Sequence, residues 1–188
     1  MTTDLNRLLL DVTELAREAG RTILEVYASS FTVAEKEDRS PLTEADLRSE
    51  KLILAGLKRL SPEIPVLSEE TGQVPWSKRR DWSRLWVVDP LDGTKEFVQR
   101  NGEFTVNIAL VDQATGRPLR VTKRGDGPVR VVGSRSHRGS SLDGFLAQVG
   151  PHEFVEVGSS LKLCLVAEGK ADVYPRLGPT SEWDTAAG

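Results

Sequence analysis

Residues 85–97 read LWVVDPLDGTKEF. Leu85 to Val88 form an apolar run of the kind that makes a buried strand. It leads straight into Asp89-Pro90-Leu91-Asp92-Gly93-Thr94, a turn shaped by proline and glycine. A surface turn explains Asp, Pro and Gly one at a time. It does not explain why a buried strand delivers two aspartates together. In open α/β sheets, the crevice at the carboxyl ends of strands is where sites are built.

Outward from this strand, helical and extended patterns interleave. The spacing predicts a helix over 5–27, with Leu5, Leu8, Leu9, Val12, Leu15, Ala16, Ala19, Ile23 and Val26 on one stripe and a charged opposite face. Residues 29–41 read as a short extended piece and a polar loop. Thr43 opens a second helix to Leu60, because TEAD fits a capping box with Asp46 as its acid; Ile53, Leu54, Leu57 and Leu60 supply its apolar face. VLSEE (66–70) is a short strand ending on two acids, and 71–84 a polar loop. A strand over 105–111 follows the Asp-rich turn and a loop. Further on come a strand in VRVVGSRSH (129–137), a helix in 141–150, a strand in FVEV, a Gly-Ser turn, a helix in LKLCLVA, another strand, and a last acidic turn. The interleaving predicts a layered α/β fold, divided into an N-terminal half over 1–112 carrying the Asp-rich turn and a C-terminal half over 128–188, together one compact unit.

Bulk properties exclude several classes. The chain has 188 residues, 38% hydrophobic and 28% charged, as soluble globular chains do. A net charge of −3 provides no basic field for nucleic acid. No apolar run approaches the ~20 residues that span a bilayer, and the N-terminus lacks the basic region and cleavage site of a signal peptide. The single cysteine, Cys164, cannot pair internally, which favours a reducing compartment; it is expected to be a small buried hydrophobe. The expected location is cytoplasmic, with peripheral association at the inner membrane face left open.

Three acidic groups end apolar segments: Glu69-Glu70, Asp89 with Asp92, and Asp184. Singly, they read as a solvated strand end, a turn and a helix N-cap. Together they fit a site for a hard cation, since Mg²⁺ takes carboxylate oxygens, water and substrate phosphate. Such ions prepare a water and stabilise a leaving oxygen. Gly93 lets backbone amides approach a phosphate, and the Thr94 hydroxyl can orient a water. The histidines, His137 and His152, form no cluster for zinc, and neither a Walker loop nor a G-x-S-x-G elbow is present.

WVVDPLDGTKEF resembles the D-P-[IL]-D-G-T signature of the lithium-sensitive, magnesium-dependent inositol monophosphatase superfamily. EWDTAAG (182–188) resembles its W-D-x-A-A-G signature, and SEE (68–70) its upstream metal-binding segment. DPLDGTKEFVQRNGEFTVNIALV, VVGSRSH, GSSLK and YPR are similar to the CysQ-type 3′(2′),5′-bisphosphate nucleotidases, where inositol phosphatases generally have Thr-Asn in place of Lys95-Glu96. The resemblance covers nearly the whole chain. It implies an α-β-α-β-α sandwich and conversion of adenosine 3′,5′-bisphosphate to AMP and phosphate, a step linked to sulfate assimilation.

The resemblance also implies residue roles. Glu69, Asp89 and the Leu91 carbonyl would bind one Mg²⁺, and Asp89, Asp92 and Asp184 a second, with a third, weaker ion near Glu69. Thr94, polarised by Asp46, would activate the water, and the Gly93 and Thr94 amides would hold the scissile phosphate. His137, Ser159, Lys162 and Arg176 would face the nucleotide and its other phosphate; Glu69, Leu91, Asp92 and Asp184 also border the substrate. Asp46 keeps its second reading as a capping acid, and Lys162 and Arg176 theirs as surface charge. Trp82, Trp86 and Trp183 read as packing residues. The partner implied is a small nucleotide, and a monomer is favoured.

The chain departs from that pattern twice. After Val111 the family continues through a central β-hairpin region, whereas here 112–128 pass almost directly to the next strand. The chain also stops at Gly188, after the W-D-x-A-A-G motif, so a weakly held Asp184, a weakly bound second ion and uncovered sheet edges are expected. The rival readings are an inositol or sugar monophosphatase, and a chain that binds metal or nucleotide with little catalysis.

Overall fold

The computed structural model of the chain describes residues 5–36, 40–71, 74–112, 127–135 and 140–188. Helix α1 (Leu5–Tyr27) buries Leu8, Val12, Leu15, Ala19, Ile23 and Val26. Leu5 and Leu9, expected on the same stripe, lie 54% and 65% exposed. They sit on the first turns, at the margin of the face that the core covers. Two short strands, β1 (Val33–Glu35) and β2 (Pro41–Thr43), pair antiparallel, the first within the expected extended piece and the second after the expected loop. Helix α2 (Glu44–Leu60) follows, capped by Thr43 and Asp46 in the predicted capping box.

Strand β3 (Val66–Ser68) runs parallel to β4 (Arg84–Asp92), and β5 (Thr105–Asp112) runs antiparallel to β4 on its other side, giving the order β3-β4-β5. A helical turn, α3 (Trp76–Arg79), lies between β3 and β4, and α4 (Thr94–Val98) follows β4 directly. Trp86 and Val88 of β4 pack with Leu8, Val12, Leu15 of α1 and Ile53, Leu57 of α2, so the helix pair covers one face of the sheet. The Trp86 indole N–H donates to Ser61 Oγ at 2.8 Å, which satisfies its polar end within the core.

A second cluster anchors the end of β4. Leu91 and Phe97 pack on Ile23 and Val26, with Tyr27, Phe31 and Phe104 around them. The Tyr27–Phe97, Phe31–Phe97 and Phe97–Phe104 ring centroids lie 5.1, 4.9 and 5.3 Å apart in tilted or edge arrangements. The Arg100 guanidinium covers Tyr27 and Phe31 at 5.3 and 5.1 Å and donates to the Ser29 carbonyl at 2.7 Å. The turn after β4 is therefore fastened to the end of α1.

In the C-terminal half, β6 (Val129–Ser134), α5 (Ser140–Val149) and β7 (His152–Val157) form a parallel strand–helix–strand unit. Leu142 and Leu146 pack on Val131. The strand expected after the LKLCLVA helix is reduced to a single bridge, Val173 with Val131. Helix α6 (Leu161–Ala167) buries Lys162, and a π-helical turn over Trp183–Ala187 carries Asp184. Cys164, expected to be buried, is exposed: two residues on from Lys162, it lies on the other side of α6. Among the described residues, no helix is long and apolar enough to cross a membrane.

Candidate active site

On a regular strand, residues three apart point to opposite faces. Asp89 and Asp92 escape this because the β4–β5 register shifts between them: Asp89 faces Asn107 and Asp92 faces Thr105, so the partner strand advances by two residues while β4 advances by three. Pro90 at the shift has its carbonyl held by the Ser49 hydroxyl at 2.7 Å. Asp89, Asp92 and Asp184 thereby present carboxylate oxygens that all lie within 4.8 Å of one another. Asp184 is not a forward-capping residue; its Oδ2 reaches back and accepts from the Thr180 hydroxyl at 3.0 Å and the Ser181 amide at 2.9 Å.

These acids line a cleft of about 370 Å³, together with Glu69, Leu91, Gly93, Thr94, Ser159, Lys162, Tyr174 and Arg176. Burial, then the charges of Glu69, Asp92 and Asp184, hold the Asp89 carboxyl well above the usual range. Burial likewise raises Glu69 and Asp92, and pushes Glu70 up to about 7. Asp89 Oδ1 is buried without a hydrogen-bond partner. A buried acceptor facing two more carboxylates is costly unless a cation meets it. The donors are all oxygen, which suits Mg²⁺ rather than a soft metal.

Glu69 lines the same cleft but is engaged elsewhere. The Lys36 ammonium donates to Glu69 at 2.8 Å and to Glu70 at 2.5 Å. Lys36 sits in a charge run that reads as a solvated loop, so its role was not legible. Asp46 is fully buried and accepts a hydrogen bond from Thr94 Oγ1 at 3.0 Å, while the Leu91 carbonyl lies 3.2 Å from the same hydroxyl. Gly93 adopts φ 95°, a conformation that favours glycine.

Lys162, which lines the same cleft, is 5% exposed. Its ammonium donates to the Ser159 carbonyl and, at 3.3 Å, to the Val157 carbonyl, and lies over the Tyr174 ring. Burial lowers its pKa, against the raising influence of Asp92, Glu96 and Glu103. Arg176 donates to the Pro179 carbonyl at 3.0 Å and lies 3.9 Å from Asp184. The expected site residues are thus brought to one cleft, apart from Asp46, which is buried behind Thr94, and His137, which lies outside the described residues. Beneath Asp92 is a polar layer that the sequence did not disclose. The Ser160 amide donates to Asp92 at 2.5 Å, and the Ser160 hydroxyl meets Thr105 and Asn107 at 2.8 and 3.0 Å. Tyr174 was also missed, although it stands in the YPR segment.

Comparison with known proteins gives this geometry a family. The inositol monophosphatase family profile matches residues 4–122 and 124–188. The 3′(2′),5′-bisphosphate nucleotidase CysQ of Salmonella typhimurium is 47% identical over 212 aligned positions, which cover 96% of this chain and 85% of that protein. The aligned stretch exceeds the 188 residues of this chain, so the relative carries residues with no counterpart here. The crystal structure of CysQ from Bacteroides thetaiotaomicron superimposes with a TM-score of 0.78 at 38% identity, covering 95% of this chain and 82% of that one. A crystal structure of an IMPase/NADP phosphatase complexed with Mg²⁺ and phosphate shares the fold, with a TM-score of 0.73 at 17% identity over 97% of this chain and 78% of that one. With its profile running through both halves of the fold and CysQ proteins matching along almost all of it, this chain belongs to the inositol monophosphatase family.

Proposed function

We propose that this protein is a Mg²⁺-dependent 3′(2′),5′-bisphosphate nucleotidase, releasing the 3′-phosphate of adenosine 3′,5′-bisphosphate to leave AMP, a step that serves sulfate assimilation. The observation that carries this reading is the mixed charge of one cleft: Asp89, Asp92 and Asp184 converge in it, and Lys162 and Arg176 line it beside them, Arg176 3.9 Å from Asp184. The carboxylates would take a cation and with it the phosphate to be cleaved, and the two basic side chains a second phosphate. The CysQ relatives, named for a bisphosphate substrate, support the same reading.

Asp89, Asp92 and Asp184 would hold one Mg²⁺, and Glu69, Asp89 and the Leu91 carbonyl another, with a third, weaker one near Glu69. When bound, these ions supply positive charge that lowers the pKa of water and stabilises the phosphoryl and leaving oxygens. Because the Thr94 hydroxyl donates to Asp46, its lone pairs are left to accept a proton from a water. The water passes its proton to Thr94 as Thr94 passes its own to Asp46, the water oxygen bonds to phosphorus as the ester bond breaks, and the ribose oxygen leaves with the bonding pair and takes a proton from solvent. The Gly93 and Thr94 amides hold the scissile phosphate, and His137, Ser159, Lys162 and Arg176 receive the nucleotide and its 5′-phosphate. Glu69 borders the attacking water. The lone cysteine suits a reducing cytoplasm, and the protein is read as a monomer.

Phosphate release from adenosine 3′,5′-bisphosphate and from inositol 1-phosphate, with and without Mg²⁺, tests the reading. Mg²⁺-dependent turnover preferring the nucleotide, suppressed by Li⁺ and lost in Asp92→Asn, is expected. A preference for the inositol ester would overturn the substrate assignment, and binding without turnover would overturn the enzymatic one.

A further inference from the structure

A carboxylate outside the cation cluster ties together the parts that form the cleft. Glu103, in the loop between α4 and β5, accepts the Gly158 N–H through Oε2 at 2.7 Å and the Arg135 guanidinium through Oε1 at 2.7 Å. The same Arg135 nitrogen reaches the Glu156 carbonyl at 3.1 Å. The backbone of Glu103 is itself fixed, its amide donating to Asn101 Oδ1 at 2.9 Å. Glu103 therefore joins the N-terminal sheet to the turn that follows β7.

That turn is constrained. Ser159 adopts φ 46°, a left-handed conformation that a non-glycine residue keeps only when its surroundings hold it. A Cβ on Gly158 would lie 2.6 Å from Glu96 Cγ and 3.1 Å from Glu103 Cβ, so the turn is pressed against both acids. From this turn the Ser160 amide reaches Asp92, and the Val157 and Ser159 carbonyls receive the buried Lys162 ammonium. Whatever fixes the turn fixes the position of Lys162 as well.

We propose that Glu103 is a positioning residue for substrate recognition: by holding the Gly158 N–H, it sets the 157–160 turn and, through it, places the Lys162 ammonium for the second phosphate of the substrate. This rests on the reading above that Lys162 faces that phosphate. Reach matters more than charge, because the bond to Gly158 is the one that touches the turn, whereas Arg135 only steadies the carboxylate.

Two conservative variants separate these. Glu103→Asp keeps the charge and shortens the reach; Glu103→Gln keeps the reach and an acceptor for the Gly158 N–H. In Glu103→Asp, KM for adenosine 3′,5′-bisphosphate is expected to rise about tenfold with kcat within about twofold. KM for adenosine 3′-monophosphate, which lacks the second phosphate, is expected to stay unchanged, and Glu103→Gln to remain close to the unaltered protein on both. Amide hydrogen exchange gives an independent readout: Gly158 is protected in the unaltered protein and in Glu103→Gln, and exchanges about tenfold faster in Glu103→Asp. Rapid exchange at Gly158 in the unaltered protein, equal behaviour of the two variants, or a loss shared equally by both substrates would overturn the proposal. If the unaltered protein does not distinguish the two substrates, the substrate reading fails on its own, and the exchange data still judge the role of Glu103 in the turn.

Discussion

One carboxylate serves both the α2 cap and the cleft. Asp46 Oδ1 accepts from Thr94 Oγ1 at 3.0 Å, while Oδ2 accepts the Thr43 amide at 2.8 Å and the Thr43 hydroxyl at 2.6 Å. The capping and catalytic readings of Asp46 are therefore compatible, and two variants separate them. Thr94→Val leaves the cap intact, so kcat should fall by at least ~10²-fold, with stability reduced by only about 1 kcal/mol for the lost hydrogen bond. Asp46→Ala should lose activity to a similar extent and about 2 kcal/mol of stability, because the cap goes too. Steady-state kinetics paired with urea unfolding checks both; wild-type kcat in Thr94→Val would remove Thr94 from the mechanism.

Asp89 should behave in the opposite way in stability. Its carboxyl is buried beside Glu69, Asp92 and Asp184, all acting to disfavour its charge. Asp89→Asn removes that repulsion and gives the neighbouring carboxylates an amide donor. In the absence of divalent cations the variant should unfold about 1–2 kcal/mol less readily than the unaltered protein, a rise of a few degrees in Tm. The same change should abolish turnover and the stabilisation by Mg²⁺, since strain at a functional site is relieved at the expense of function. Differential scanning calorimetry with and without Mg²⁺ decides this, and a variant less stable than wild type when metal-free would contradict it.

The legible parts of the fold were those whose signal is periodic or local. The α1 stripe, the Thr43–Asp46 cap and the apolar β4 strand each announce themselves within a few residues. The turn chemistry of Pro90 and Gly93 was legible too, but not the register shift that brings Asp89 and Asp92 to one side, since pairing with β5 is not written in β4. Strand β1 was legible as a short extended piece, but strand β2 and its pairing with β1 were not, because three residues carry no alternation to read. Helix α4 escaped because its five residues are held by Phe97 packing rather than by propensity. Lys36 read as part of a polar loop and Glu103 carried no reading, since an ion pair across thirty or more residues leaves no trace in spacing.

The acid cluster fixes a sign for the pH dependence. Glu69, Asp89 and Asp92 are raised by burial, and Glu70 is pushed from 4.5 to about 7. A carboxyl whose folded pKa exceeds its unfolded value binds a proton more tightly in the folded state. Stability therefore falls as pH rises between the two values, opposite to the usual carboxylate case. Lys36 is raised, but its contribution is fully present below its unfolded value of 10.5 and does not change in this window. Metal-free Tm should decline from about pH 5 to about pH 7. Millimolar Mg²⁺ should flatten or reverse the decline, because a cation favours the deprotonated cluster. Thermal melts across this range, in EDTA and in Mg²⁺, measure it; a metal-free Tm that climbs steadily with pH would contradict the origin assigned to the shifts.

Gly93 is constrained both by its backbone conformation and by its neighbours. Its φ is 95°, and a Cβ there would lie 2.8 Å from the Glu103 carbonyl oxygen and 3.1 Å from Ser159 Cβ. The backbone carbonyl cannot rotate away as a flexible side chain would. Gly93→Ala should therefore cost about 1–2 kcal/mol for the conformation and about 1–3 kcal/mol more for overpacking. The displaced groups are the Glu103 loop and the Ser159 turn, so the damage should reach both Asp92 and Lys162, which that turn contacts. Activity measured at a temperature where the variant remains folded should still fall by more than about 10²-fold, because small displacements from a reacting geometry are costly. If folded Gly93→Ala kept near-normal kcat and KM, the close approach of this turn to the substrate phosphate would have to be abandoned.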